Sequence, residues 1–381
     1  MKTIQSTVGE AFIGQHVSHD YSSRIFPYFD VWKKEYGPIF MYSTGNIQHL
    51  CVIDPVTAKE ICLNTSLDFG KPTFVHKASE PLLGKSILTA NGRKWAHQRK
   101  IIAPQLYMDK IKVDIPIKGP SPTNFQFDVI SKACFGSSYS KGKEIFQKLK
   151  VLQNIISKQG LRVGVPGLRY LFTLHDIFPR RTTENHGILY VDRLVDSKSE
   201  NDLLQSILEG ATNDEVKVDS IDSFIIDNCK GIYFAGYEST ATSASWILML
   251  LASHPEWQIR VRNEVVEVCG GCLPDATMLP KMNTLTMVVL EALRLYPPAP
   301  FLLREALEPI KLNALNIPKG VNVRCPIVNL QKDPEVWGPE ARVFNPDRFS
   351  HGIAKACKIP QVFMPFSAAP RTLCRPKFRY G

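Results

Sequence analysis

The chain has 381 residues, 44% hydrophobic and 22% charged, with a formal net charge of +10. That composition belongs to a folded globular protein and excludes a collagen-like, low-complexity or disordered chain. The basic residues are dispersed and no nucleic-acid motif accompanies them, so the excess suits an acidic protein partner or anionic headgroups, and no nucleic-acid partner is expected.

Nine scattered cysteines, an odd count, without a secretory leader fit reduced thiols in a cytosol-facing compartment. No run approaches the roughly 18 apolar residues of a membrane span, so no membrane anchor is expected in the chain as written. Without a linker, repeat or low-complexity tract, one domain over residues 1–381 is expected, mainly α with small β-sheets.

Residues 1–35 read as helix and loop carrying Tyr21, Phe26, Tyr28, Phe29 and Trp32. Residues 39–43 and 47–53 are short strands around Thr44-Gly45-Asn46, a hairpin signal. Asp54 and Pro55 supply a cap and a first-turn proline for a helix to about Asn64. Residues 92–103 form a basic amphipathic helix on which Trp95 and Arg99, four apart, share a face. That pair reads either as an aromatic ring under an arginine stem or as a holder for an anionic ligand. Residues 113–124 are proline-rich and aperiodic, helix resumes over 127–135 and 141–159, and 172–200 follow no pattern.

The longest element spans residues 219–253, with Asp219 or Ser220 as cap. Ile221, Phe224, Ile225, Cys229, Ile232, Tyr233 and Gly236 mark one apolar face. Residues 246–251 are apolar all round and are expected to be buried. In the middle, Ala235-Gly236-Tyr237-Glu238-Ser239-Thr240 breaks the pattern. A glycine there costs about 1 kcal/mol relative to alanine, and a hydroxyl can bond back to the carbonyl four residues earlier and bend the helix. The stretch is either a kink with a solvated glutamate or a gap where a flat ligand lies beside a proton-relay pair.

Pro255 opens another helix to about Val268; Cys269 and Cys272 beyond it read as a loop, and His16 and His19 as structural or exposed. Residues 284–296 are a helix stopped by Pro297-Pro298, holding Glu291 and Arg294 on one face. In so apolar a helix that ion pair should be buried, and removing one partner should cost about 3–5 kcal/mol. Strands are expected near 310–312 and 321–325, around Pro318-Lys319-Gly320.

Five features stand in a fixed order: Trp95 with Arg99; Ala235-Gly236 with Glu238-Ser239-Thr240; Glu291 with Arg294; Phe344 and Pro346 with Arg348-Phe349; and Pro365-Phe366 with Arg371 and Cys374. In this order the chain resembles, from about residue 35 to its end, a cytochrome P-450, a haem-thiolate monooxygenase. The texture is similar to plant microsomal members of the gibberellin- and diterpenoid-oxidising kind.

The resemblance implies an incomplete P-450 fold with its haem loop at 363–376. It also implies haem b as cofactor, a monomer, and insertion of one oxygen atom from dioxygen into an apolar small molecule. An NADPH-cytochrome reductase would supply electrons at the cytosolic face of the endoplasmic reticulum membrane. Ala235 and Gly236 would then form a floor for the haem, with Phe366 at the start of its loop. Glu238, Ser239 and Thr240 would relay protons, and Trp95, Arg99, Arg304 and Arg371 would hold the propionates. Cys374 would ligate iron, and Glu291, Arg294 and Arg348 would form a structural triad. The family often has histidine where Gln331 stands, which removes one expected propionate contact.

The loop departs from the family pattern. Leu373 occupies the cysteine position and Cys374 follows one residue late, about 3.8 Å of chain. Ser367, Ala369 and Arg375 stand where the family has glycine, and a left-handed backbone costs a residue with a Cβ about 1–2 kcal/mol. The chain stops seven residues after Cys374. These departures carry a second reading: a catalytically inactive, truncated or degenerate paralogue, or the product of a mispredicted gene.

Overall fold

The computed structural model describes residues 18–106, 203–212, 220–275, 277–312 and 315–367. The expectations for 113–124, 127–135, 141–159 and 172–200, and for His16, Asp219, Arg371, Leu373 and Cys374, lie outside them.

Two short helices, α1 (Tyr21–Ile25) and α2 (Pro27–Tyr36), precede the hairpin of β1 (Ile39–Thr44) and β2 (Ile47–Val52). Gly45 turns the hairpin at φ 61°, a region open to glycine at little cost. Helix α3 (Pro55–Leu63) starts as its sequence predicts, with the Asp54 carboxylate accepting the Thr57 N–H at 2.7 Å. Then follow β3 (Phe69–Gly70), α4 (Thr73–Leu83), α5 (Gly92–Ile102) and α6 (Leu203–Ala211).

The central helix is α7 (Ile221–Ser253), 33 residues and about 50 Å long. Ser220 caps it, its hydroxyl facing the Ser223 N–H at 3.5 Å. Helices α8 (Pro255–Cys269) and α9 (Asn283–Leu295) come next, then β4 (Phe301–Ala306), β5 (Ile310–Leu312), β6 (Leu315–Ile317) and β7 (Asn322–Pro326). Short helices α10 (Ile327–Leu330), α11 (Pro334–Trp337) and α12 (Ile353–Ala356) carry the chain to residue 367. The architecture is mainly α with small sheets.

The main sheet has the order β1-β2-β7-β4-β3. Strand β2 pairs in parallel with β7, His49 opposite Asn322, while β4 runs antiparallel to β7 with Arg304 opposite Val323. Paired residues share a face. One face carries Leu50, Val52, Leu302, Val323 and Cys325 against α3, α9 and the segment at Phe363 and Met364. The other carries Phe40, Cys51 and Ile53 under Phe29 of α2.

Along α7 the apolar stripe divides its work. Ile225, Cys229, Ile232 and Tyr233 pack with Trp95 and Ile102 of α5 and Leu204 and Ile207 of α6. Leu250 and Leu251 pack with Trp257 of α8 and Val288 of α9. The expectation that 246–251 is buried all round is corrected, because Leu248 is 67% and Met249 44% exposed. Only one side of this turn meets α8 and α9; hydrophobicity alone did not say which.

Candidate active site

The half-buried stretch from Phe234 to Ser239 lies just beyond the part of α7 that α5 covers. Ala235, Gly236, Glu238 and Ser239 are half-buried and Thr240 is exposed. The Ser239 hydroxyl donates to the Ala235 carbonyl at 2.6 Å, the back-bond its position allows. Its oxygen keeps acceptor capacity.

Trp95 is buried on α5, and the Arg99 guanidinium lies over its ring at 5.7 Å from the centroid. The two come together as their four-residue spacing predicts.

Arg304 sits on the buried face of β4, 4% exposed. Its fork donates to the Leu303 carbonyl at 3.0 Å and to the Ser367 hydroxyl at 3.4 Å, and among the described residues it meets no carboxylate. Burial pulls its pKa down, opposed by the Cys62 and Cys325 thiols. A buried guanidinium held only by neutral oxygens is an anion-seeking group. Phe366, next to Ser367, is 51% exposed.

Glu291, Arg294 and Arg348 meet behind this region. Glu291 and Arg294 are fully buried, joined by two 2.7 Å bonds, and Arg348 Nε lies 3.7 Å from Glu291. Arg294 also donates to the carbonyls of Gln331 at 2.8 Å and Ala341 at 2.5 Å, while Arg348 donates to Trp337 and Glu340. The Asn345 N–H donates to Glu291 at 3.0 Å. One acid between two arginines therefore fixes the irregular chain from 331 to 348.

Two residues take parts that the sequence did not assign them. Gln331 is fully buried and bonded to backbone, a role its polar neighbours Lys332 and Asp333 gave no sign of. Ser367 has φ 68°, the only non-glycine at positive φ among the described residues. Its signal was present in the sequence, since it stands where the resembled pattern has glycine.

The Cytochrome P450 family pattern matches residues 8–116 and 122–372. The match begins earlier than residue 35 and runs unbroken through 172–200. It breaks only at 117–121, within the proline-rich stretch, and stops before Leu373. Fold and match together make the chain a haem-thiolate monooxygenase by family, an oxidoreductase, and the family implies haem, dioxygen, a substrate and a redox partner. The chain belongs to the cytochrome P450 family.

It is 45% identical to cytochrome P450 714C2 of rice over 396 residues, 93% of this chain and 74% of that protein. It is 42% identical to cytochrome P450 714B3 of maize, covering 93% of this chain and 72% of that protein. It is 40% identical to cytochrome P450 714A2 of Arabidopsis thaliana over 421 residues, 98% and 79% of the two chains.

Proposed function

We propose that this chain, as a single P-450 domain, binds haem b and oxidises an apolar small molecule of the diterpenoid or gibberellin kind. Electrons would come from an NADPH-dependent reductase at the endoplasmic reticulum membrane, to a monomeric enzyme. The observation that carries the reading is Arg304, a buried cation whose partners are a carbonyl and a hydroxyl, beside the chain that leads to the cysteine loop.

The residues fit a flat dianionic group. Arg304 would take one propionate, Arg99 and the Trp95 indole N–H the other, with Arg371 assisting. Ala235 and Gly236 leave room for a ring to lie against α7, because neither carries a side chain beyond Cβ. Cys374 would supply the thiolate. Haem bound through a thiolate supplies oxygen activation, the sulfur pushing electron density that favours O–O cleavage.

The chain's own work is then to hold and move protons. Glu238 is half-buried, one residue from the Ser239 hydroxyl. With the Ser239 hydroxyl turned away from Ala235, that hydroxyl would give its own proton inward while its oxygen takes one from Glu238, directly or through water. Thr240 offers a second hydroxyl from the exposed side of the helix.

A carbon monoxide difference spectrum of the dithionite-reduced, haem-supplied protein tests the reading. A strongly red-shifted Soret band, lost in Cys374→Ala, supports it. Exchanging Leu373 and Cys374 should raise haem uptake, and no gain in a folded sample would mean that the one-residue displacement of the cysteine does not limit haem binding. A band at the unshifted position, or no band, would favour the second reading, a non-catalytic protein of this fold.

A further inference from the structure

Gln331 stands between the Glu291–Arg294 pair and the chain that enters the cysteine loop, and it is 0% exposed. Its Nε2 donates to the carbonyls of Leu293 at 3.2 Å and Arg294 at 2.9 Å, the last turn of α9. Its Oε1 accepts the Met364 N–H at 2.9 Å. Its own carbonyl accepts from Arg294 at 2.8 Å.

The path continues beyond Met364. The Ser367 N–H donates to the Met364 carbonyl at 3.0 Å, closing the turn in which Ser367 takes its positive φ. The Ser367 hydroxyl then accepts from Arg304 at 3.4 Å. The Met364 sulfur rests 3.2 Å from the Cys62 thiol in the core, so the backbone between is held on two sides. One hydrogen-bonded route thus runs from Arg294 through Gln331, Met364 and Ser367 to Arg304. All its members are buried except the half-buried Ser367.

The chemistry demanded of residue 331 is specific. It must donate toward one backbone and accept from another, with no water to fill a gap. A primary amide does both, whereas a carboxylate cannot donate and an apolar chain can do neither. A buried carbonyl or N–H left without its partner carries a desolvation penalty, so the segments would move to satisfy it.

We propose that Gln331 is a positioning residue: it fixes Met364, and through the Ser367 turn it aims Arg304 at the haem carboxylate and sets where the cysteine loop begins. The haem half of this inference rests on the function proposed above. The placement half concerns the protein alone.

The test uses the full chain and three proteins: wild type, Gln331→Met, and Val261→Ala. The last is a core substitution on α8 that makes none of the route's hydrogen bonds and sets the level of general loosening. Amide hydrogen exchange is measured without haem, and haem affinity by Soret titration. Gln331→Met should speed exchange at Met364 and Ser367 at least tenfold beyond Val261→Ala, and weaken haem affinity at least tenfold beyond it. Gln331→His, able to donate at one ring nitrogen and accept at the other, should recover most of the exchange protection at Met364 and Ser367.

Exchange no faster than in Val261→Ala would overturn the proposal. So would faster exchange with unchanged haem affinity. Should wild type take up no haem, the functional reading fails by itself, and exchange at Met364 and Ser367 alone decides the placement. If Gln331→Met does not fold, Gln331→Asn replaces it, too short by one methylene to reach both sides.

Discussion

Replacing Lys332 with methionine should stabilise this protein, most strongly at neutral pH and below. Lys332 is 3% exposed, and its ammonium has no hydrogen-bond partner among the described residues. It lies 3.7 Å from the centroid of the Tyr21 ring and 5.5 Å from that of Tyr296. Burial pulls its pKa from 10.5 to about 7; Asp20 opposes the shift, while Arg294 and Arg342 add to it. At about 1.4 kcal/mol per unit, that drop corresponds to roughly 5 kcal/mol of lost stability at neutral pH. The aromatic face returns about 1–2 kcal/mol, which leaves a net cost of about 3 kcal/mol.

The sign follows from the two pKa values. The unfolded chain keeps this proton up to about pH 10.5, and the folded chain only to about 7. Stability linked to Lys332 is therefore fully present above the higher value and lost as pH falls to the lower one. Methionine has similar length and no charge, and fills the same space. Urea unfolding of both proteins near pH 6.5 and near pH 9.5 reads the effect. The variant should lead by about 3 kcal/mol at the lower pH, with the lead shrinking at the higher one. A variant less stable than wild type near pH 6.5, or a difference flat across that interval, would refute the reasoning.

Glu291→Gln strips the fully buried Arg294 of its charge partner and should cost about 3–5 kcal/mol, read as a lower urea midpoint; a loss under about 1 kcal/mol would show that solvent reaches the arginine. Ser367→Gly removes the left-handed strain and should raise haem-free stability by about 1 kcal/mol while weakening haem uptake, because Arg304 loses its hydroxyl partner. Parallel movement of the two readouts would contradict this. His49 is held neutral, its pKa lowered from 6.5 to about 4 by burial and then by Arg324. Stability linked to it is present above pH 6.5 and lost as pH falls through 4, so His49→Phe should flatten the acid limb of the stability curve by about 3 kcal/mol. An unchanged limb would assign that loss to other groups.

The elements legible from sequence were those whose signals are local. Helix α7 announced itself by period and cap, α3 by Asp54-Pro55, and the hairpin by Gly45. Strand β4 escaped notice because its buried alternation places Arg304 on the apolar side. Hydropathy does not read a buried cation as inward-facing. Strand β3 is two residues long and is defined only by its pairing with β4. The part Gln331 plays depends on carbonyls of α9 and on the Met364 N–H, about 35 residues away in each direction. At the site, the Trp95–Arg99 and Glu291–Arg294 pairs were legible because each lies within one or two helical turns. The link from Arg294 to Ser367 was not, since it passes through backbone groups that sequence does not order.

The parallel pairing of His49 with Asn322 sets a timetable for synthesis. Strand β2 waits about 270 residues for its partner, some 15–50 s at ordinary translation rates. Through that interval the β1–β2 hairpin presents a long open edge, a template for unwanted pairing with other chains. The N-terminal helices wait as well, because Lys33 pairs with Asp333 and Asn329 donates to Asp30. Nascent chains should therefore engage chaperones from the first strands onward and be released only once β7 has emerged. Ribosomes stalled before residue 322 would yield chains that aggregate, whatever the chemistry of the loop that follows.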